Sequence, residues 1–328
     1  MKEELLNLNF EITHNCNQEC KYCYNGSILN KPNGIENPIK VINKLFKIAS
    51  IKHFTFTGGE PLLSKDILEC AVQVRLNNSA TTIITNASTD NKPLLKSLIN
   101  IGACRFQITV NSHKSIIHDS LSQVAGSWNS TIRNVEYILN AGGIVIPTIV
   151  LTSENSDNIE ELLKFIQSMG MNTVIINRYN LSQGVHFGNL TMSKKLLNEV
   201  FVRINSYANE NELKVTSNVC TPYCFLDPRS YKNISFGQCS SNPLEKPITI
   251  DYGGNVRLCN HSPHVIGNIF NNKFSEMLFS QYTLSWVSQI PEFCIECNRY
   301  EDCKGGCRAA SEQIKGSHLI VDPILDRI

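Results

Sequence analysis

The sequence predicts an α/β protein: a parallel sheet covered by helices, followed by a smaller cysteine-rich part. Two observations predict this. Six strand-like segments alternate with amphipathic helical segments over the first two-thirds. Eight of the thirteen cysteines then gather in the last third. At 328 residues the chain exceeds the usual size of one domain. The change of composition sets the expected division at residues 1–208 and 209–328.

The first strand is read from alternating Leu6, Leu8, Phe10 and Ile12. Further strands are expected at His53–Thr57, Thr81–Thr85, Arg105–Val110, Gly143–Leu151 and Thr173–Asn177. Helical stripes fall between them. Ile39, Ile42, Leu45 and Phe46 share one face, as do Ile132, Val135, Ile138 and Leu139, and then Ile159, Leu162, Leu163 and Ile166. A last helix carries Leu196, Leu197, Val200, Phe201 and Ile204. These stripes are read as core packing. Periodicity leaves open whether the sheet is open, half closed or a full barrel. In each case, ligand groups collect beyond the carboxyl ends of the strands.

Composition narrows the function classes. A formal charge of +1 gives no basic field to point to nucleic acid. No apolar run approaches the roughly 20 residues that span a membrane, and the charged start Met1–Glu4 leads straight into a strand, with no signal peptide visible. A cytoplasmic location is expected. Disulfides are disfavoured there, so the clustered cysteines read as metal ligands. Cys70 and Cys104 stand alone and read as small buried hydrophobes.

Cys16, Cys20 and Cys23 follow the first strand with the spacing C-x3-C-x2-C. Three thiolates can hold three corners of a [4Fe–4S] cube and leave one iron open to a small molecule. A zinc loop is the competing reading. Tyr22 completes the pattern C-x3-C-x-aromatic-C. This resembles the cluster loop of the radical S-adenosylmethionine (SAM) superfamily. The second strand ends in Gly58–Gly59–Glu60–Pro61. Its glycines allow close backbone approach, and Glu60 offers a carboxylate. The same pattern in that family binds the amino group of SAM.

The resemblance runs from about Leu6 to Asn180 and implies a partial (β/α)6, TIM-like barrel. It also implies weaker matches along the rim. Thr85 and Asn86 resemble a family T-N-G turn, with Ala87 in place of glycine. Thr109–Val110–Asn111 stands where relatives carry Ser-x-Asp-Gly near the ribose, and His118–Asp119 matches a following H-D pair. Arg178 ends the sixth strand, where it could meet the SAM carboxylate or simply lie on the surface.

The later cysteines are Cys220, Cys224, Cys239, Cys259, Cys294, Cys297, Cys303 and Cys307. The last four read C-x2-C-x5-C-x3-C, and Gly254-x4-Cys259 follows Cys239. Paired cysteines also suit zinc, but a ribbon needs two C-x2-C knuckles and only Cys294/Cys297 makes one. The pattern resembles the SPASM domain, which carries auxiliary iron–sulfur clusters. By that resemblance one auxiliary cluster takes Cys239, Cys259, Cys307 and either Cys220 or Cys224. A second takes Cys294, Cys297 and Cys303. Its usual fourth ligand is a cysteine near the C-terminus, and no cysteine follows Cys307. Cys220 crossing over, Asp322, Asp326, His318 or an open iron are the alternatives.

The resemblance implies reductive cleavage of SAM to methionine and a 5′-deoxyadenosyl radical, which takes a hydrogen from the substrate. It implies a [4Fe–4S] cluster, SAM, one or two auxiliary clusters and an electron donor such as flavodoxin or ferredoxin. The first functional expectation is a peptide-modifying enzyme that makes a carbon–carbon or thioether cross-link, or another side-chain change, in a ribosomally made precursor. No peptide-recognition segment is expected ahead of the first strand, so the enzyme surface or a separate protein would read the precursor. The second is a formylglycine-forming sulfatase-maturing type dehydrogenase, or a radical oxidase of a tetrapyrrole or cofactor precursor. Sulfatase-maturing relatives carry aspartate after the cysteine matching Cys259, where this chain has Asn260. His261 is then a candidate proton acceptor, with a backbone-bonded loop histidine as its structural alternative. The third expectation is a non-catalytic iron–sulfur electron carrier, which binds clusters without cleaving SAM.

Overall fold

The structure, a computed structural model, describes residues 2–25, 37–183 and 190–327. Six strand–helix units form as the periodicities require. They are β1 (Glu3–Thr13), α1 (Pro38–Ile48), β2 (Ala49–Gly58), α2 (Ile67–Leu76), β3 (Ala80–Thr85), α3 (Lys92–Asn100), β4 (Arg105–Thr109), α4 (Ser115–Ser122), α5 (Ser127–Asn140), β5 (Ile144–Leu151), α6 (Ile159–Ser168), β6 (Thr173–Arg178) and α7 (Lys194–Glu210). Local chemistry sets the boundaries. Asn37 caps α1 by accepting the Lys40 N–H at 2.9 Å, with Pro38 in the first turn. Asn91 caps α3 in the same way, accepting from Leu94 N–H at 3.1 Å.

The remaining elements are β7 (Lys214–Ser217), β8 (Ile234–Phe236), β9 (Ile248–Asp251), β10 (Asn255–Arg257), β11 (Gly267–Asn268), α8 (Phe274–Leu278), α9 (Gln281–Ser288), α10 (Tyr300–Cys303) and α11 (Arg308–Lys315). All strands join one sheet in the order β11-β10-β9-β1-β2-β3-β4-β5-β6-β7-β8. From β9 through β1 to β8, every neighbouring pair is parallel. Among the described strands only β10 is reversed, pairing antiparallel with both β9 and β11. Among the described residues β8 and β11 are the two ends of the sheet, so it curls as a partial barrel without closing.

Strands β7 to β11 were not legible in the sequence, because segments of two to four residues carry no measurable alternation. Their place is a finding. The C-terminal part adds β9 directly beside β1, pairing Leu8 with Ile248 and Glu11 with Asp251.

Register divides the sheet into an apolar and a polar face. Phe10, Phe56, Ile83 and Phe106 stand opposite one another along β1 to β4. All four are fully buried beneath the helices. Phe10, Phe54 and Phe56 form a ring cluster with centroids 5.0–6.2 Å apart. Burying each ring contributes about 2–3 kcal/mol. The alternate positions, among them Glu11, Thr57 and Thr82, face the other side. That concave face is therefore polar, unlike the packed interior of a closed barrel.

Candidate active site

The cysteine loop leaves the carboxyl end of β1, at the rim where the topology collects ligand groups. Its conformation is fixed by neighbours on three elements. Backbone N–H groups of Glu19 and Lys21 donate to the carbonyls of Ser122 and Leu121 on α4. The Lys21 ammonium pairs with Glu154 at 3.0 Å and bonds Ser120 Oγ at 2.9 Å. The Asn17 and Gln18 amides donate to Ser88 Oγ beyond β3. Cys16, Cys20 and Cys23 lie within electrostatic reach of one another. Burial raises the thiols of Cys16 and Cys20, to about 11 and about 12. Without a cation they stay protonated; bound iron would turn them into thiolates.

Gly58 and Gly59 serve the chain itself. A Cβ on Gly59 would stand 2.2 Å from the Asn15 carbonyl oxygen, and one on Gly58 2.2 Å from that of Thr13. Gly58 also holds φ at +132°. Gly59 N–H donates to Thr13 O and Glu60 N–H to Asn15 O, both at 2.8 Å. The two glycines thus lace the β2 tip to the cysteine loop.

The Glu60 carboxylate is already well supplied with donors: Thr85 Oγ1 at 2.6 Å, Leu62 N–H at 2.9 Å and Asn86 N–H at 2.8 Å. Burial pushes its carboxyl up against these lowering contacts. Glu60 therefore pins the β2 and β3 tips together.

Other rim residues are similarly engaged. The Asn86 side chain donates to Asn17 Oδ1 at 2.8 Å. Ala87 adopts φ +51°, the left-handed conformation that a glycine there would take without strain. Asn111 is buried, and its Oδ1 accepts the Val150 N–H at 2.8 Å. Its amide also faces the half-buried Tyr22 hydroxyl beside Cys20. His118 accepts the Asn111 N–H through Nδ1 at 3.3 Å, and Asp119 caps the turn before α5 through Gly126 and Trp128 N–H. Thr109 ends β4, half-buried.

Arg178 is not at the surface. It is buried, with Nη2 2.5 Å from Asp322, Nε 2.9 Å from Thr221 Oγ1 and further bonds to Asn180 Oδ1 and the Cys220 carbonyl. Its guanidinium is occupied by the C-terminal part.

The eight later cysteines fall into two groups. Cys220, Cys239, Cys259 and Cys307 feel one another's charge. Here the buried Lys246 places Nζ 3.0 Å from Cys239 Sγ and over the Trp286 ring. With Cys220 also donating to it, Cys239 is held well below the usual thiol range. Asn180 Nδ2 donates to Cys307 Sγ at 3.2 Å. Cys224, Cys294, Cys297 and Cys303 form the other group.

Among the described residues, no three His, Cys, Asp or Glu side chains converge tightly enough for a single metal ion. The chemistry of the donor set, thiols gathered in groups of three and four, is that of iron–sulfur ligation.

His261 links the first loop to the C-terminal part. Its ring stacks on Tyr24 with centroids 4.3 Å apart, while Asn260 Nδ2 donates to the Tyr24 hydroxyl at 2.6 Å. Amide groups of Asn180 and Gln313 face its two ring nitrogens at 3.5 and 3.3 Å, and Gln313 also donates to its carbonyl. Burial, then Arg178 and Arg257, push its imidazole down to about 3. Its ring nitrogens meet side-chain amides and not backbone groups. Tyr24, Lys246, Asn180 and the buried Glu11–Arg257 ion pair escaped sequence reading. Only Tyr24 carried any signal, its adjacency to Cys23.

Residues 10–166 match the family model described as the Radical SAM superfamily. Those residues form a radical SAM domain. The chain is 23% identical to the PqqA peptide cyclase of Granulibacter bethesdensis, over 95% of this chain and 85% of that one. It is 19% identical to the AdoMet-dependent heme synthase of Nitratidesulfovibrio vulgaris, over 96% and 90%. The structure of Streptococcus suis SuiB bound to precursor peptide SuiA superposes with a TM-score of 0.78 at 16% identity, covering 98% of this chain and 75% of SuiB. The partial-barrel fold is thus shared along nearly the whole chain. Among the described residues, no helix is long and apolar enough to cross a membrane.

Proposed function

We propose that this protein is a radical SAM/SPASM enzyme that cross-links or otherwise modifies side chains of a ribosomally made precursor peptide. The observation that carries the reading is the joining of two cysteine systems through Tyr24, Asn260 and His261, in a chain similar over its length to a peptide cyclase. The heme synthase similarity leaves a small-molecule substrate as the competing outcome.

In this reading Cys16, Cys20 and Cys23 hold the SAM-binding cluster. Tyr22, the Gly58–Pro61 turn, Asn86, Thr109 and Asn111 surround SAM. Residues 1–208 supply the six strand–helix units, and 209–328 are the auxiliary-cluster part, which extends the same sheet through β7 to β11. Once bound, the reduced cluster and SAM supply a carbon-centred radical that removes one hydrogen atom from the substrate. The chain's own residues do the rest. The Lys21–Glu154 and Ser88 contacts hold the loop rigid, as a short-range hydrogen transfer requires. The polar concave face offers hydrogen-bond partners to a peptide backbone. Closing a cross-link would then release one further electron and one proton, and the later cysteines would hold the groups able to accept that electron. An external reductant such as flavodoxin or ferredoxin supplies the first electron, and a cytosolic setting keeps the thiols reduced.

The test is incubation of the reconstituted protein with SAM, reductant and precursor peptides encoded beside its gene. The expected product lacks two hydrogen atoms and yields a linked fragment on proteolysis. Unchanged peptides, with turnover of a porphyrin precursor instead, would move the reading to small-molecule oxidation. Formylglycine in a Cys-x-Pro-x-Arg peptide would move it to sulfatase maturation. Cluster binding without 5′-deoxyadenosine would leave an electron carrier.

A further inference from the structure

The second C-terminal cysteine group has three members close together in sequence, Cys294, Cys297 and Cys303. A closed cubane takes a fourth protein ligand. The segment around Cys224 is built against that loop. Tyr223 N–H donates to Cys303 Sγ at 3.2 Å. Arg299 makes a two-pronged ion pair with Asp227 at 2.7 and 2.9 Å and lies over the Tyr223 ring at 4.8 Å. These contacts bracket Cys224 from both sides in sequence. Its thiol lies in the field of Cys303 and Cys297.

The rivals are committed elsewhere. Asp322 holds Arg178 at 2.5 Å and the Cys307 N–H at 2.8 Å. Asp326 reaches out to Lys315 at 2.9 Å. His318 bonds Ser285 at 2.9 Å and stacks on Trp286. Cys220 stands with Cys239 and Cys307, and its carbonyl accepts from Arg178.

We propose that Cys224 closes the second auxiliary cluster, giving Cys224, Cys294, Cys297 and Cys303 as a complete four-thiolate set. The inference rests on the iron–sulfur reading above and extends it. A cubane with four cysteines has no iron left for a substrate atom. This site then carries electrons and does not hold the peptide. Cys224 and Cys297 are both exposed, which sets the cluster where an electron carrier can approach it.

Because Cys224 is exposed, a free thiol there would alkylate readily. The experiment is native alkylation of the anaerobically reconstituted holoprotein with iodoacetamide, read by peptide mass spectrometry beside iron, sulfide and zinc analysis. Cys224 is expected to be protected together with Cys294, Cys297 and Cys303, and once iron is stripped the exposed Cys224 and Cys297 should label, with the buried Cys294 following only on unfolding. Labelling of Cys224 while the other three stay protected overturns the assignment alone. Labelling of all four in the holoprotein, or zinc in place of iron and sulfide, overturns it together with the iron–sulfur reading of this group. Neither result touches SAM cleavage, which is measured separately.

A second arm uses Cys224→Ala in a background of Cys16→Ala, Cys20→Ala and Cys23→Ala. Iron should fall from about eight per chain to about seven or about four, with the EPR signal of a three-iron cluster in the first case. Unchanged iron and spectrum in soluble protein overturns the proposal. Cys220→Ala in the same background is expected to alter the other cluster and leave Cys224 protected.

Discussion

Arg178 and Asp322 meet at 2.5 Å across 144 positions of sequence, both almost wholly buried. This pair ties the carboxyl end of β6 to the last turn of the chain. Asp322 uses the same oxygen to accept the Cys307 N–H at 2.8 Å. Barrel rim and cysteine-rich part are thereby one electrostatic unit.

Removing one partner strands a buried charge. Asp322→Ala should therefore cost about 3–5 kcal/mol, seen as a lower thermal midpoint and early loss of the Cys220/Cys239/Cys259/Cys307 iron. An Arg178→Met, Asp322→Leu double variant should recover much of that loss. Arg178→Ala should leave SAM affinity per folded molecule unchanged. A large selective drop in SAM binding would return Arg178 to the ligand.

Cys16→Ala, Cys20→Ala and Cys23→Ala should each abolish 5′-deoxyadenosine formation while the other cysteine groups still take up iron. Wild-type levels of 5′-deoxyadenosine in any of them would refute the assignment of the triplet.

Gly59→Ala should destabilise by about 3 kcal/mol or more, because the new methyl group meets backbone at Asn15 and no side chain can yield. Solubility and midpoint should fall before any effect on SAM is read. Tight SAM binding at normal stability would show the β2 tip to be more plastic than its contacts imply.

His118 gives a pH signature. Burial pushes its imidazole down from 6.5 to about 4. Above about pH 6.5 it is neutral both folded and unfolded, and contributes no pH dependence. As pH falls below that, the unfolded chain takes a proton that the folded chain refuses. Stability should drop by about 1–2 kcal/mol by pH ~5.5. His118→Asn keeps an acceptor for the Asn111 N–H and should flatten that part of the stability–pH curve. Identical slopes in the two proteins would contradict it.

Much of the barrel was legible because its strands and stripes are long enough to show a period, as in Leu8–Phe10–Ile12 and Ile159–Leu162–Leu163–Ile166. The cysteine spacings were equally open to reading, being properties of the chain itself. What the sequence hid was tertiary. Glu60 invites an ammonium on paper, yet three donors from its own chain already satisfy it. Arg178 ends a strand at the rim, yet its side chain turns to a partner whose position no local pattern encodes. Lys246 looks like any surface lysine, and only the fold sets it against Cys239. The two cysteine groups sort by proximity, which spacing alone left undecided between Cys220 and Cys224.

The parallel pairing of β1 with β9 has a consequence for how the chain is made. Strand β1 leaves the ribosome long before β9, and the edge that β9 will cover stays bare until residues 248–251 have been synthesised. A bare edge invites strand pairing with another molecule, and closing so long a loop is slow. Biogenesis of this protein is therefore most vulnerable while β1 waits for β9, and anything that shields that edge during translation, a chaperone or slow handling at low temperature, should raise the yield of correctly assembled protein.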